Sequence, residues 1–434
     1  MRSWRSTPLA LVVLVGCGNP FNPFGPAGDG DGSGSASDSG PGASEDDGVD
    51  DTTGTGPEPT GGGESGDADQ CTPDDVLTGL LLSSTSDRSF SIASDLVLDG
   101  TESGGFYVAR NCVARHDGRG VELWSVAGEG CHHLAVSPSG NPVVAGRISV
   151  TSEEDYEYAR VTQFDSQGAQ LWVHEWDVPG VREAATDVAV DGEGNVLVAG
   201  RNVVDGTLSG WVAKLSPMGT LLWTQTLPGM SSDAPKLGVD DAGFVYAADT
   251  VFVDDDLVHV TQLAANGDIQ WSWETHGPDG EFELDAMGVN PGGQVLIAGR
   301  GPGNGAAGLY LLDAAGDLVW SRTSHDVDWI ERAAAVVFEP CGTIALAGAG
   351  DPGASNWGQL WVAKISTAGD LLWSQYIDGP FHSFEFGQGD DRVFGIDVDH
   401  RGVVTATGML TVDKELFGDV VTDVREQWFG WYAP

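Results

Sequence analysis

The chain has 434 residues and a formal charge of −45, because 65 aspartates and glutamates stand against 20 lysines and arginines. A surface this acidic repels nucleic acid and anionic lipid headgroups, which argues against a protein that binds a phosphate backbone. The 63 glycines, the 15 tryptophans and a hydrophobic fraction of 41% predict a β-rich globular body joined to an unstructured segment.

Residues 1–16 predict an export signal. Two arginines precede the apolar run 9–15, which is too short to span a bilayer as a mature helix. The motif 14–17 (Leu-Val-Gly-Cys) resembles a bacterial lipobox, which implies lipid attachment at Cys17. Glycine rather than aspartate at position 18 implies the outer membrane or the cell surface of a Gram-negative bacterium. The alternative is an ordinary cleaved signal followed by a chance cysteine.

Residues 17–70 predict a disordered acidic linker. Between positions 18 and 70 there is no lysine or arginine, and Gly, Ser, Asp, Glu, Pro and Thr dominate. Such a segment cannot bury enough apolar surface to offset the entropy lost on ordering, and its acidic residues repel one another. Its Asp-Gly pairs supply no closed set of calcium ligands, so we interpret it as a solvated tether.

Tryptophans recurring roughly every 50 residues mark a repeated unit. Each ends a segment similar to 216–223 (Ser-Pro-Met-Gly-Thr-Leu-Leu-Trp). They are Trp124, Trp172, Trp223, Trp271, Trp320 and Trp373. Within the period 185–224, short glycine-containing turns join four β-branched or alternating segments, which predicts two hairpins and hence one four-stranded propeller blade. We name the strands of a blade A to D in chain order.

The repeat has a pattern that resembles a known family. Asp-x-x-Gly-Asn-Val-x-Val-x-Gly at 191–200, followed by Val-Ala-Lys-Leu at 212–215, resembles the bacterial seven-bladed β-propeller repeat (SBBP-type) of exported lipoproteins. The resemblance covers roughly residues 90–434 and implies an all-β propeller over 71–434. We expect seven four-stranded blades, with six or eight as alternatives. The seventh period has strands A to C, and we expect residues 76–83 to supply its D strand and close the ring.

The tryptophan motif also bears a weaker resemblance to the PQQ-type propeller repeat. That family implies a quinone cofactor, an adjacent-cysteine pair and a calcium site, or alternatively a scaffold lipoprotein that assists outer-membrane protein assembly. No Cys-Cys occurs here, so we predict no cofactor and expect the tryptophans to pack between blades. The turn 191–195 looks like a calcium loop, but equivalent turns lack its acids. Turn chemistry explains it, and we predict no metal site.

Four cysteines remain besides Cys17, and export favours disulfides with three pairings open. Cys112 lies between strands B and C of blade 1, and Cys131 opens strand A of blade 2. Both belong to one ring face, so we predict the pair Cys112–Cys131. Cys341 lies in an A–B turn on the other face, where the exchanged strand would also place Cys71, which predicts Cys71–Cys341. Adjacent strand residues point to opposite faces, so the run 131–133 (Cys-His-His) cannot hold one metal.

Long, varied D–A and B–C loops share one end of the ring, whereas the A–B and C–D turns are short. Binding residues collect on loops carried by a rigid scaffold. The candidates for ligand contact are aromatic and acidic residues of these loops: Trp176, Trp273, Trp329, Phe381, Phe384, Asp254, Asp255 and Asp256. They would suit a glycan, a peptide or a cation. The alternative is that the loops have drifted without a ligand.

The sequence therefore predicts a monomeric, lipid-anchored, extracytoplasmic propeller that binds or scaffolds a protein, peptide or glycan. It offers no catalytic residue and no nucleic-acid partner. One alternative is a polysaccharide lyase or hydrolase with its site in the central channel. Such an enzyme needs acid and base residues clustered on the A strands, which are mostly Ala, Val and Leu with scattered Asp. The other alternative is a purely structural surface protein.

Overall fold

The computed structural model describes residues 95–100, 105–109, 112–150, 156–178, 181–227, 235–252, 256–301, 306–324, 326, 332–340, 342–350, 359–377, 392–399, 402–416 and 419–432. All of them belong to the compact unit that contains Asp69–Pro434. They form 27 β-strands. None of these ranges contains a helix long and apolar enough to cross a membrane.

The strands form antiparallel sheets that follow the repeat. Blade 1 contains β1 (Leu96–Leu98), β2 (Phe106–Val108), β3 (Cys112–His116) and β4 (Glu122–Ala127). Blade 2 contains β5 (His133–Val136), β6 (Pro142–Val150), β7 (Tyr156–Phe164) and β8 (Gln170–Trp176). Blade 3 contains β9 (Arg182–Val190), β10 (Val196–Val204), β11 (Thr207–Leu215) and β12 (Leu221–Leu227).

The later blades repeat the same order. Blade 4 contains β13 (Lys236–Val239), β14 (Val245–Val251), β15 (Leu257–Leu263) and β16 (Ile269–Thr275). Blade 5 contains β17 (Glu283–Val289), β18 (Val295–Arg300), β19 (Ala307–Leu312) and β20 (Leu318–Thr323). Blade 6 contains β21 (Ala333–Phe338), β22 (Thr343–Gly350), β23 (Gln359–Ser366) and β24 (Leu371–Ile377). The last sheet has β25 (Arg392–Val398), β26 (Val404–Leu416) and β27 (Asp419–Tyr432).

The A strands form a closed inner ring. Each lies at the edge of its sheet and contacts the A strands of both neighbouring blades, and β25 of the last sheet contacts β1 of the first. The Leu98 backbone N–H donates to Asp397 Oδ2 over 2.8 Å across that junction. The expected all-β propeller is therefore confirmed, and the space enclosed by the A strands is its central channel.

The described strands form seven sheets, six of four strands and a seventh with strands A to C, as expected from the sequence. Residues 76–83, which we expect to provide the missing D strand, lie outside the described residues. Within the described part of the seventh sheet, β27 pairs with β26 alone and so forms an edge.

The A–B turns are closed by local hydrogen bonds. In the turn 191–195, Asp191 Oδ1 accepts from the backbone N–H groups of Glu193 and Asn195, and Gly194 has a φ of +83°. Asp191 Oδ2 lies 2.9 Å from the Lys214 ammonium, in a pair that is almost fully buried. The carboxylate thus has turn and ion-pair partners, in agreement with the interpretation that turn chemistry explains this motif.

The repeated tryptophans join each blade to the next. In five cases the indole N–H donates to a backbone carbonyl of the following C–D turn, over 2.7–3.1 Å. These pairs are Trp124–Ser166, Trp172–Pro217, Trp223–Ala265, Trp271–Ala314 and Trp320–Thr367. The glycine of each accepting turn has positive φ and lies against the indole face. We call this unit the tryptophan latch. Trp373 packs in the core between blade 6 and the last sheet.

Candidate functional site

A bulge interrupts strand A of blade 3 just before Asp187. In blade 3 the register of β9 against β10 skips Thr186, so that Asp187 pairs with Ala199 and Ala185 with Gly200. A Cβ on Gly200 would lie 2.6 Å from the Ala184 carbonyl oxygen and would also meet the Trp211 ring, which explains the glycine at this strand-B position. Blades 5 and 6 and the last sheet have the same irregularity. Bulges re-aim the side chain that follows them.

One A-strand position is ionisable in four successive blades. Strand B has a repeated glycine, and this A-strand position pairs with the residue just before it. In blades 1 and 4 another residue stands in place of that glycine. It holds Asp95, His133, Asp187 and Lys236 in blades 1 to 4, and Ala286, Ala335 and Gly395 in the other three sheets. We call the first four residues the channel quartet. This position therefore makes one side of the channel ionisable, whereas the other three sheets hold a small residue there. In the last sheet, Asp397 stands two residues after Gly395 on the same face of β25.

The quartet is held by contacts between blades. Asp95 accepts from the backbone N–H of Leu96 in its own blade and of Leu134 in blade 2, over 2.8 and 2.9 Å. Asp187 does the same with Val188 and with Leu237 of blade 4, over 2.9 Å each. Each carboxylate thereby links two A strands. Its oxygens can still accept hydrogen bonds from a further donor.

The four side chains influence one another electrostatically. His133 Nδ1 lies 4.0 Å from Asp187 Oδ1. Burial and the negative charge of Asp187 raise the pKa of Asp95 to about 7, against the opposing effect of its backbone hydrogen bonds and of Lys236. Burial and the positive charge of Lys236 lower the pKa of His133 to about 3. Burial also raises the pKa of Asp187, although Lys236 opposes that shift.

Near neutral pH the quartet thus offers the Asp95 carboxyl group with a pKa close to 7, the second carboxyl group of Asp187, a neutral imidazole and a lysine. Such a set can donate and accept hydrogen bonds toward one ligand. Among the described residues, no group of three or more His, Cys, Asp or Glu side chains is arranged to hold a metal ion. On the small-residue side, a Cβ on Gly395 would lie 3.2 Å from Asp95 Oδ1, so glycine there leaves room for the Asp95 carboxyl group.

The sequence reasoning missed the quartet because it judged the A strands as mostly apolar. A signal was present: Asp95 and Asp187 each stand four residues before the first acid of an A–B turn, Asp99 and Asp191. Aligning the strands on their turns would have placed His133 and Lys236 at the same position. That step needs the turns to be matched blade by blade, which the drifted sequences obscure.

Two of the aromatic ligand candidates pack between blades. The Trp176 ring lies 5.0 Å from that of Trp211 in blade 3 and 4.5 Å from that of His174. The Trp273 ring lies 5.8 Å from that of Tyr310 in blade 5. Both tryptophans are partly buried against core clusters. The structure therefore gives each a packing role and places them in different interfaces.

Of the remaining loop candidates, Asp256 alone lies within the described residues. The Asp256 carbonyl accepts from the Phe282 backbone N–H over 2.9 Å, and this residue is half-buried. The others lie outside the described residues: Trp329, Phe381, Phe384, Asp254 and Asp255.

Cys112 and Cys131 form a disulfide with an S–S distance of 2.13 Å. It connects the first residue of β3 to the segment that leads into β5, and so joins blades 1 and 2. Cys17, Cys71 and Cys341 lie outside the described residues, so the pair Cys71–Cys341 and the lipid attachment stay predictions.

Comparison with known proteins identifies no family. No family model matches the chain, and no curated protein matches its sequence. Solved structures resemble it in fold. A protein from Lactobacillus plantarum is 17% identical with a TM-score of 0.44, over 77% of this chain and 98% of that one. An α-L-arabinanase from Penicillium chrysogenum complexed with arabinobiose is 12% identical with a TM-score of 0.41, over 68% and 91%. A protein of unknown function from Dyadobacter fermentans is 10% identical with a TM-score of 0.43, over 69% and 93%. At such identities these similarities concern the fold alone.

Proposed function

We propose that the chain is a lipid-anchored, extracytoplasmic binding module whose ligand site is the ionisable side of the central channel. The channel quartet carries this proposal. Its four members come from four separate repeats, yet they occupy one structural position and interact electrostatically. A few polar groups converging in an otherwise apolar concavity are the usual make-up of a small-ligand site.

The chemistry of the quartet favours a neutral polar ligand. Asp95 and Asp187 accept hydrogen bonds, Lys236 donates them, and a neutral His133 does both. Hydroxyl or amide groups of a glycan or a peptide would match this mixture. Ala286, Ala335 and Gly395, at the same position in the other three sheets, would leave space for the apolar part of the ligand.

The carboxyl group of Asp95 is expected to titrate near pH 7, which carboxyl ¹³C NMR with an Asp95→Asn variant for assignment would measure. Lys236→Met should raise this pKa further, because the ammonium charge that lowers it is lost. The same variant should raise the pKa of His133. A midpoint near 4 for Asp95, unmoved by Lys236→Met, would contradict the coupling.

The same titration should appear in stability. Because the folded-state pKa of Asp95 is about 7 and the ordinary value is 3.8, its contribution is fully present below about pH 4 and is lost as the pH rises through 7. His133 contributes with the opposite sign, since its lowered pKa costs stability as the pH falls below 6.5. Asp95→Asn should therefore reduce the fall between pH 4 and 7 and leave the rise due to His133. Part of the fall should remain, because burial also raises the pKa of Asp397 to about 6.

One observation favours a hydrolase or lyase as a second candidate. Asp95 has a pKa near 7 and is coupled electrostatically to a second carboxyl group, that of Asp187. General acid–base chemistry uses carboxyl pairs whose pKa values differ. A panel of oligosaccharides incubated with the protein would separate the two functions. A binding module retains an intact ligand, whereas an enzyme releases products and loses this release in Asp95→Asn and Asp187→Asn.

The lipid anchor has its own test. Cys17→Ser should abolish incorporation of a labelled fatty acid and move the protein out of the membrane fraction, because the thiol that accepts the lipid is removed. Cys71→Ser is the matched control and should keep its label. Undiminished labelling of Cys17→Ser would refute the anchor without affecting the channel proposal.

A further inference from the structure

We propose that the loop end of the interface between blades 2 and 3 binds an oxyanion, namely a carboxylate, sulfate or phosphate group of a ligand. The site consists of Arg147, Arg182 and Arg201 around Glu157, and we call it the arginine cluster. It is separate from the channel quartet, and it does not depend on the function proposed for the channel.

Strand register places the cluster between two facing blade surfaces. In blade 2, Ser149 of β6 pairs with Glu157 of β7, which puts Glu157 on the same side of the sheet as Arg147. In blade 3, Val203 of β10 pairs with Arg182 of β9, which puts Arg182 on the same side as Arg201.

The ion pairs show that these two surfaces meet. Arg182 Nη2 lies 3.3 Å and Arg201 Nη2 lies 3.9 Å from Glu157 Oε2, both across the interface. Within blade 2, Arg147 Nη1 lies 3.5 Å from Glu157 Oε1. One carboxylate thus collects three guanidinium groups.

The Glu157 carboxylate cannot engage all of the guanidinium donors around it. A guanidinium has five N–H donors and a carboxylate about four acceptor sites, so Arg147 and Arg182 alone bring more donors than Glu157 can accept. All three distances exceed the roughly 2.7–2.9 Å of a close charge-assisted hydrogen bond. The side chains of Arg147 and Arg182 are 46% and 48% exposed, whereas that of Glu157 is 12% exposed. The N–H donors of Arg147 and Arg182 that Glu157 does not engage therefore reach solvent, while the Glu157 carboxylate lies beneath them.

At blades 5 and 6, by contrast, arginines and carboxylates are matched in number. Arg300 follows the strand-B glycine of blade 5, as Arg147 and Arg201 do in theirs, and lies 3.2 Å from Glu283 and 3.3 Å from Asp285. Arg332 shares Asp285 over 2.8 Å, so two arginines meet two carboxylates. In a chain of net charge −45, the described side chains here place three arginines around one glutamate. A local excess of positive charge attracts an anion.

The test titrates the full-length protein with inorganic sulfate, inorganic phosphate and acetate at constant ionic strength, followed by the arginine side-chain NMR signals. We expect Arg147→Gln and Arg182→Gln each to weaken sulfate binding about fivefold, as for the loss of one partly exposed ion pair. Glu157→Gln should strengthen it, because the internal competitor for the guanidinium groups loses its charge.

Arg300→Gln is the matched control and should leave binding unchanged. Thermal unfolding of every variant shows whether it is folded, and Arg147→Gln changes an exposed side chain, so it keeps the test valid if Arg182→Gln fails to fold. Preference for acetate over sulfate would indicate a planar carboxylate ligand, and the reverse a tetrahedral one. The proposal is overturned if no anion binds, if Arg147→Gln binds like wild type, or if Glu157→Gln weakens binding.

Discussion

Gly219→Ala is expected to destabilise the protein by about 2–5 kcal/mol. Gly219 has a φ of +77°, where a side chain costs roughly 1–2 kcal/mol. Its Cβ would also lie 2.6 Å from the Trp172 ring. That ring cannot easily withdraw, because its N–H donates to the Pro217 carbonyl over 3.0 Å and to Gln163 Oε1 over 2.7 Å. Overpacking of this kind costs about 1–3 kcal/mol more. Urea unfolding followed by tryptophan fluorescence would measure the loss.

Gly243→Ala isolates the backbone part of this effect. Gly243 has a φ of +81°, but the nearest atom to its Cβ would be the Ala265 Cβ at 3.7 Å, an ordinary contact. We expect a loss of only about 1–2 kcal/mol. Equal losses in the two variants would show that the tryptophan latch does not constrain Gly219.

Deletion of residues 18–83 is expected to lower stability by about 5 kcal/mol or more, whereas deletion of 18–70 should leave it nearly unchanged. The longer deletion removes 76–83, which we expect to pair with the edge strand β27 and complete the last sheet. Each large apolar side chain that such a strand buries contributes about 1.5–3 kcal/mol. Differential scanning calorimetry of both truncated proteins, each retaining Cys17, would measure the difference.

A single substitution sharpens that comparison. Leu80→Asp keeps the chain length and should reproduce part of the loss if this segment is a buried strand. If Leu80→Asp and the longer deletion both unfold like the shorter deletion, the last sheet is completed in another way.

The fold could be predicted from sequence because its determinants are local and repeated. The spacing of Trp223 and its relatives indicated the blade length, and the glycine turns indicated the hairpins. Asp191 could be assigned to a turn because its partners lie within four residues. Such features need no knowledge of neighbouring blades.

The candidate sites could not be predicted in the same way because their members come from different blades. Asp187 and His133 are far apart in sequence, and only the ring brings them within 4.0 Å. Arg182 and Glu157 meet for the same reason. Conversely, Trp176 looked like an exposed loop aromatic. Its packing against the Trp211 ring depends on how blades 2 and 3 face each other.

The tryptophan latch also bears on how such a ring can change in size. Each latch needs a donor from one repeat and an acceptor turn from the next, as in Trp223 and Ala265. Copying one repeat within the gene would therefore create a new donor and a new acceptor together, and no other blade would have to adapt. The joint between adjacent blades is inherited with the repeat itself, so the number of blades can grow or shrink by whole units while every internal junction stays satisfied.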